Sequence, residues 1–550
     1  MVKATTVNLQ LEKSAVSFID GNNCVNCGKC EELCPVKAIE ERQKEVCHLC
    51  PDCTEMKALN VQQMYDLRSQ SCTLECPLGI SPQGYIGLMK AGKFKEAYDL
   101  IAEKNPLTAV CGYICHHPCE EVCKRGTLVD EPMKIRELKR FLGEEFLGTP
   151  LPKYPELHDL HIAVIGAGPA GLTAAHWLAK KGYKVTVFDQ AGEAGGMLLR
   201  GIPDFRLDKE IGRLEIAKLE EAGIKFVFNT KIQPSKIDEM LKKYDKVVVA
   251  TGTQVPKTLP IEGWRGENRF FAITLMEKVN SGKMVKLDGD VVVIGGGSVA
   301  MDTARTALRL GAKSVTVICL ESGEDIPAHK WEVEQAKEEG VAIISGVAPV
   351  RFLGGSSKLT GIEYADIENL DLTTLKFDVK ENSEKTLPAD FAIVATGQKA
   401  DHEWKGCEEV VLAGDIAGGK CSLIDAMASG REAALKIDNE LMNREYSEYE
   451  VERNIGLGDR KYKVYPANRA KLRFGSGLAV EPECRKKSFD LVECALSDGE
   501  ADLEVERCLF CGYRFVDAQT CIGCGVCQKF CPKGDVITMV EAPEDTKEGE

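Results

Sequence analysis

The sequence predicts an α/β fold, with two strand–glycine turn–helix–strand units in the middle of the chain and cysteine-rich segments at both ends. Three observations carry this expectation. The strand–glycine–helix unit occurs twice, at residues 161–189 and 290–321. Of the 24 cysteines, thirteen lie between Cys24 and Cys123, eight between Cys484 and Cys531, and three in the long stretch between. The spacing C-x2-C-x2-C-x3-C-P occurs once near each end, at Cys24, Cys27, Cys30 and Cys34 and again at Cys521, Cys524, Cys527 and Cys531.

A chain of 550 residues is long enough for about three to five domains with large cores. Its net charge of −15 disfavours a nucleic-acid partner. The first residues, MVKATTVNLQLEKS, have no apolar core and no small-residue cleavage site, so a secretory signal is not expected. No apolar run approaches the roughly 18 residues of a membrane span. These features predict a soluble cytoplasmic protein. In a reducing compartment so many cysteines point to metal, not to disulfides.

The first central unit reads HIAVIGAGPAG (161–171), a β-branched run followed by G-x-G-x-x-G and an Ala-rich helix pattern. The next strand, KVTVFD, ends at Asp189, 23 residues after Gly166. Gly166, Gly168 and Gly171, with Pro169 and Ala170 opening the helix, let the backbone approach a pyrophosphate at the helix N-terminus. Asp189 is placed to accept a ribose hydroxyl. The second unit, DVVVIGGGSVAMDTARTALRLGAKSVTVICLE (290–321), repeats the pattern with Gly295, Gly297 and Ala300, with Ser298 and Val299 opening its helix. Each unit is followed by a strand ending in A-T-G, which places Thr251 and Gly252 after the first and Gly397 after the second. Gly414 and Asp415 follow a further buried strand.

The ends predict iron–sulfur chemistry. A cluster needs four soft ligands, and the fourth cysteine of a C-x2-C-x2-C-x3-C-P run serves another cluster in two-cluster ferredoxins. Zinc needs only paired C-x2-C, so this run is over-specified for it. After the first run, Cys47, Cys50 and Cys53 begin a second set without a fourth member, and Cys72, Cys76, Cys111, Cys115, Cys119 and Cys123 follow. Near the C-terminus the pair Cys508 and Cys511 precedes the second full run. A zinc site from Cys484, Cys494, Cys508 and Cys511 is the alternative there. The isolated Cys319, Cys407 and Cys421 read as buried apolar fillers. His116 and His117 lack paired ligand spacing and read as supporting or surface residues.

Two dinucleotide units with these closing segments resemble the pyridine nucleotide–disulfide oxidoreductase type of flavoprotein. That resemblance implies FAD at the first site, a nicotinamide cofactor at the second, and Gly414 and Asp415 against the flavin. No C-x4-C redox pair follows the first site, so a disulfide reductase is not expected. The segments GGMLLRGIPDFRLDKEI (195–211), with Gly196 and Met197, and CTLECPLGI…CEEVC (72–123) resemble the glutamate synthase small subunit and its relatives. These include the N-terminal part of dihydropyrimidine dehydrogenase and the large subunit of NADH-dependent ferredoxin:NADP oxidoreductase. The resemblance implies a helical domain carrying two [4Fe–4S] clusters beside FAD. It also implies that Cys111 is unligated and that two of Cys47, Cys50 and Cys53 take the place of a missing upstream C-x2-C. Lys139 stands where relatives carry a Glu or Gln ligand, so Glu137 or a further cysteine is expected to replace it.

The expected domains are a ferredoxin-like segment (1–60), a helical iron–sulfur domain (61–158), an FAD domain in two parts (159–279 and 386–445), an inserted NAD(H) domain (280–385), and a linker with a C-terminal ferredoxin-like domain (446–550). FAD, NAD(H) and at least three [4Fe–4S] clusters then make a converter between hydride and single electrons, with no catalytic side chain of its own. The expected partners are NADH, ferredoxin and other redox subunits, with electron bifurcation as an extension. The alternative is the electron-input small subunit of a glutamate synthase. Glu321, with Leu320, stands where NADPH-dependent relatives carry arginines. A carboxylate accepts a 2′-hydroxyl and repels a 2′-phosphate, which predicts NAD(H).

Overall fold

The computed structural model describes residues 15–19, 29–34, 38–42, 71–128, 130–419, 421–443, 479–508, 513–516, 526–532 and 537–541. The first nucleotide unit is a five-stranded parallel sheet in the order Val410–Leu412, Lys246–Val249, His161–Ile165, Lys184–Phe188, Lys225–Val227. Ile162, Ala163 and Val164 on its central strand are all fully buried. Consecutive burial is what a parallel strand covered on both faces requires. One covering layer is the helix Pro169–Lys180 packed on Leu423–Met442. Their approach is so close that a Cβ at Gly430 would lie 2.1 Å from the Ala170 carbonyl oxygen.

The second unit is also five-stranded and parallel, in the order Ala342–Ser345, Ser314–Cys319, Asp290–Ile294, Phe391–Val394, Arg269–Phe271. This corrects the sequence boundaries of 280 and 385. Phe391–Val394 and Arg269–Phe271 belong to this sheet, because without them the buried strand Asp290–Ile294 would be an edge with unpaired backbone groups. A second, antiparallel layer of this domain comprises Val347–Leu353, Gly361–Asp371, Lys376–Val379 and Lys385–Pro388.

The helical domain packs its helices Thr108–Ile114 and Ile135–Glu145 through two glycines. A Cβ at Gly112 would meet Arg140 Cα at 2.4 Å, and one at Gly143 would meet Ala109 Cα at 2.5 Å. Leu78, Tyr85, Val110 and Leu138 of this domain share one continuous core with Val164, Leu172, Val248 and Met427 of the first sheet domain. The two are joined by Glu215 on the helix Lys209–Ala222. Its carboxylate accepts the backbone N–H of Ala109 at 2.8 Å and of Val110 at 2.9 Å. Residues 479–508 then strap the domains together. The Val492 N–H donates to the Phe205 carbonyl, Arg136 pairs with Glu493 at 2.7 Å, and the buried Arg507 pairs with Glu504 and Asp130.

The two chain ends meet. Ala15–Ile19 pairs antiparallel with Ile537–Glu541, and Ile39–Arg42 pairs antiparallel with Tyr513–Val516. The expectation of separate ferredoxin-like parts at 1–60 and 446–550 is therefore corrected: each end supplies strands that the other lacks, and an isolated two-strand end would leave its ladder unpaired.

Burial pushes the Glu215 carboxyl up to about 7, the two N–H bonds only partly opposing it. An acid whose folded pKa lies above its unfolded value of about 4.3 favours folding less as it ionises, so this group's share of stability is lost as pH rises from about 4.5 to about 7. Glu215→Gln faces one of the two N–H donors with an amide N–H instead, an expected cost of ~1–3 kcal/mol. Thermal unfolding should show this deficit to be larger at pH 5 than at pH 8. A deficit independent of pH would rule out the buried carboxyl as its source.

Candidate functional site at the junction of three domains

A single cavity of 1190 Å³ opens between the two sheet domains. It exceeds the roughly 300–1,000 Å³ of one small-molecule site. Both glycine turns face it. Gly166, Gly168, Pro169, Ala170 and Asp189 of the first unit line it, as do Gly295, Gly297, Ser298, Val299 and Glu321 of the second. Gly196, Met197, Thr251, Gly252, Gly397, Gly414 and Asp415 complete the wall. Gly171 and its counterpart in the second unit, Ala300, do not line it.

The three glycines of the first turn have separate jobs. Gly166 has φ +106° and a Cβ there would lie 2.3 Å from the Ala250 carbonyl oxygen. A Cβ at Gly171 would lie 1.9 Å from the Gly166 oxygen, so this glycine allows helix and strand to touch, which explains its distance from the cavity. A Cβ at Gly168 would meet nothing within 4 Å, and the same holds for Gly297 in the second turn. The middle glycine of each turn thus borders open space at a helix N-terminus, where a pyrophosphate is accommodated. The Thr251 and Thr396 hydroxyls, both buried and lining the same cavity, have no protein partner. Donors left this way fit a polar ligand. Thr396, in the second A-T-G, was not singled out from sequence; its match to Thr251 in the repeated segment was the available signal.

Asp189 binds its own turn: its two oxygens accept the N–H of Ala167 at 2.7 Å and of Ala191 at 2.8 Å. Burial raises the Asp415 carboxyl above its ordinary value. Glu321 is 8% exposed, and its Oε2 lies 2.9 Å from where a Cβ on Gly296 would stand. It is packed against the second turn and does not face solvent.

The cavity is lined by Ile114, the last residue of a helix whose next residue is Cys115. Around that point the cysteines gather. The Tyr85 hydroxyl is pushed up by burial and then by Cys119, Cys72 and Cys76, which places these three thiols near one phenol. Cys115 is raised first by its hydrogen bond with Cys111 and then by burial. The N–H groups of His117 and Met133 donate to the sulfurs of Cys115 and Cys123 at 3.4 and 3.5 Å. Such N–H···S bonds suit thiolates that bind a cluster. Lys139, 5% exposed, reaches into this group and donates to Cys111 Sγ at 3.0 Å. Cys111 itself is held down to about 7 by the Cys115 hydrogen bond and by Lys139, against burial. Glu137 pairs through Oε1 with Arg136 at 2.8 Å, and its buried Oε2 has no protein hydrogen-bond partner.

The histidines read as supporting or surface residues form a domain contact. His116 stacks on His329 at 5.1 Å, and His117, in left-handed backbone at φ +47°, lies 6.0 Å from Trp331. Cys319 is buried as expected, whereas Cys407 and Cys421 are exposed, and Cys421 lines the cavity. Cys484 and Cys494 are exposed and Cys508 is half-buried. Among the described residues no group of three or more His, Cys, Asp or Glu is placed to hold a single metal ion. Cys24, Cys27, Cys47, Cys50, Cys53, Cys511, Cys521 and Cys524 lie outside the described residues. Cys30 and Cys34 lie in and just after the helix Lys29–Leu33, and Cys527 and Cys531 in and after Val526–Lys529.

Comparison with known proteins agrees with this layout. Residues 160–419 match the pyridine nucleotide-disulphide oxidoreductase family, residues 42–149 the dihydropyrimidine dehydrogenase domain II with a 4Fe-4S cluster, and residues 18–40 a 4Fe-4S binding domain. The beta subunit of the NADP(+)-dependent formate dehydrogenase of Moorella thermoacetica is 32% identical over 80% of this chain and 70% of its own. The PreT subunit of the NAD-dependent dihydropyrimidine dehydrogenase of Escherichia coli K12 is 31% identical over 67% of this chain and 90% of its own. The glutamate synthase [NADPH] small chain of Azospirillum brasilense is 31% identical over 66% and 84%. The chain belongs to this family of flavin and iron–sulfur oxidoreductase subunits. As a family member it is an NAD(P)H-dependent enzyme subunit that uses FAD and [4Fe–4S] clusters. Among the described residues no helix is long and apolar enough to cross a membrane.

The two glycine positions separate binding from folding. Gly168→Val should leave thermal stability of the flavin-stripped protein unchanged and lower FAD content after reconstitution, read by absorbance of the bound flavin. Gly171→Val, whose Cβ would overlap the Gly166 oxygen, should lower the melting temperature of that same stripped protein. Equal stability losses from both would show that Gly168 has no special relation to the cofactor.

Proposed function

We propose that this chain is the NADH-oxidising, electron-transfer subunit of a hetero-oligomeric redox complex, exchanging single electrons with ferredoxin or a partner subunit. One observation carries the reading: both nucleotide turns open on a single cavity, and that cavity is also lined by Ile114, the neighbour of Cys115 in the helical domain. FAD, when bound, accepts a hydride from a nicotinamide and releases electrons singly to one-electron carriers. The chain's own residues bind and orient. Gly168 and Gly297 admit the two pyrophosphates, Asp189 fixes the first turn, and Ile114 walls the pocket off from the cysteines. All three relatives are named as subunits or as a small chain, which supports a partner. The cysteines support at least three clusters, so the anaerobically purified chain is expected to hold one FAD and at least ~12 iron atoms.

The relatives' names divide between NAD and NADP, so the preference is read from this chain's own wall. Glu321 is buried against Gly296 at the end of the strand Ser314–Cys319, with Leu320 beside it on the cavity. A carboxylate there accepts a ribose 2′-hydroxyl and repels a 2′-phosphate, and arginine does the reverse. Anaerobic flavin reduction should be at least about tenfold more efficient with NADH than with NADPH, ~1.4 kcal/mol. Leu320→Arg with Glu321→Arg should move the preference toward NADPH. A tenfold preference of the unaltered protein for NADPH would refute the carboxylate argument.

A further inference from the structure

We propose that the two chain ends fold into one two-cluster ferredoxin unit, in which Cys34 completes the cluster of the C-terminal run and Cys531 completes the cluster of the N-terminal run. The argument begins with the order of elements. The N-terminal end runs strand Ala15–Ile19, cysteine run, strand Ile39–Arg42; the C-terminal end runs strand Tyr513–Val516, cysteine run, strand Ile537–Glu541. Each run begins a short helix at its third cysteine or just before it, Lys29–Leu33 with Cys30 and Val526–Lys529 with Cys527. The two ends are equivalent halves, although most of the chain separates them.

The strand register relates each run to the far end of the other. Ile19, which leads into the first run, pairs with Ile537, which leaves the second run six residues after Cys531. Val516, which leads into the second run, pairs with Ile39, which leaves the first run five residues after Cys34. The strand before each run is therefore paired with the strand after the other run. In a single polypeptide ferredoxin with two such runs, the fourth cysteine ligates the other cluster, and here the pairing of the ends supplies that arrangement across the whole chain.

Two further contacts bring the halves to one place. Lys29 pairs with Glu103, and Lys93 Nζ donates to the carbonyl of Pro532, the residue after Cys531, at 3.0 Å. Lys93 and Glu103 flank the helix Phe94–Ala102, nine residues long and hence about 14 Å. Cys30 is 8% exposed, and the Ala38 N–H donates to Cys34 Sγ at 3.2 Å, the bond expected of a ligand sulfur.

Pairwise substitution tests the assignment without any nicotinamide measurement, so its failure is distinct from failure of the proposed function. Cys30→Ala in the full-length, anaerobically purified protein should lose about four iron atoms, one [4Fe–4S] cluster. Cys30→Ala with Cys531→Ala should lose the same four, because both fall on one cluster. Cys30→Ala with Cys34→Ala should lose about eight. The reverse pattern, four for Cys30 with Cys34 and eight for Cys30 with Cys531, would overturn the proposal. Serine variants, which can retain an oxygen-ligated cluster, decide the matter if alanine empties the whole unit. Cys30→Ser and Cys531→Ser should then alter the same electron paramagnetic resonance signal of the reduced protein and Cys34→Ser a different one. Cys30→Ser and Cys34→Ser altering a common signal would overturn it equally.

Discussion

A buried carboxylate with two backbone partners fixes the geometry on which this molecule depends. Glu215 belongs to the first nucleotide domain, and Ala109 and Val110, whose N–H groups it accepts, open the helix that ends at Ile114. The first N–H groups of a helix have no partner within it. By satisfying them from another domain, Glu215 sets where that helix begins and so where Ile114 meets the cavity. Burying an acid opposes folding when it ionises, and the chain tolerates this at a place where any slip would separate nucleotide pocket from cysteines. The shared apolar core supplies the bulk of the attraction, and the carboxylate supplies the register.

Charge is arranged around the cysteines with similar economy. Several thiolates and a cluster would concentrate negative charge in a buried volume, and unpaired buried charge is costly. Lys139 answers this from the helix Ile135–Glu145, its ammonium opposed by burial but favoured by Cys111, Cys115 and Cys119 in that order, with a net upward shift. A cation here forms no bond to a metal. It therefore acts through the field, and hydrogen bonds and net charge are among the quantities that set a cluster's potential.

The nicotinamide domain is held against both neighbours by a mixed aromatic and ionic contact. Arg206 of the first nucleotide domain pairs with Asp302 at 2.7 Å and Glu332 at 2.9 Å, and it lies over the Trp331 ring, as does Arg136 of the helical domain. Buried ion pairs add orientation more reliably than they add stability. The strap at 479–508 reaches the same place through Glu493, which pairs with Arg136, and through Arg485, which pairs with Glu338 of the nicotinamide domain. One C-terminal segment thereby touches all three domains before the chain returns to its beginning.

The sequence by itself determined the elements whose chemistry is local. The glycines at 166, 168 and 171 and at 295 and 297 belong to a strand–turn–helix pattern a few residues long, so spacing alone reveals them, although the backbone that crowds Gly166 and Gly295 comes from Ala250 and Ala395 far along the chain. The cysteine runs are legible for the same reason. Spacing said nothing of partners distant along the chain. It placed the edge of the nicotinamide domain at 385, because a strand such as Phe391–Val394 joins whichever sheet leaves an edge open, and its own residues suit either. It treated His116 and His117 as bystanders, because their partners, His329 and Trp331, lie in another domain. It read the cysteine-rich ends as two units, because nothing in Ala15–Ile19 or Ile537–Glu541 names its partner strand. Backbone hydrogen bonding is indifferent to sequence distance, so only the tertiary structure decided that the first and last of the described strands are neighbours.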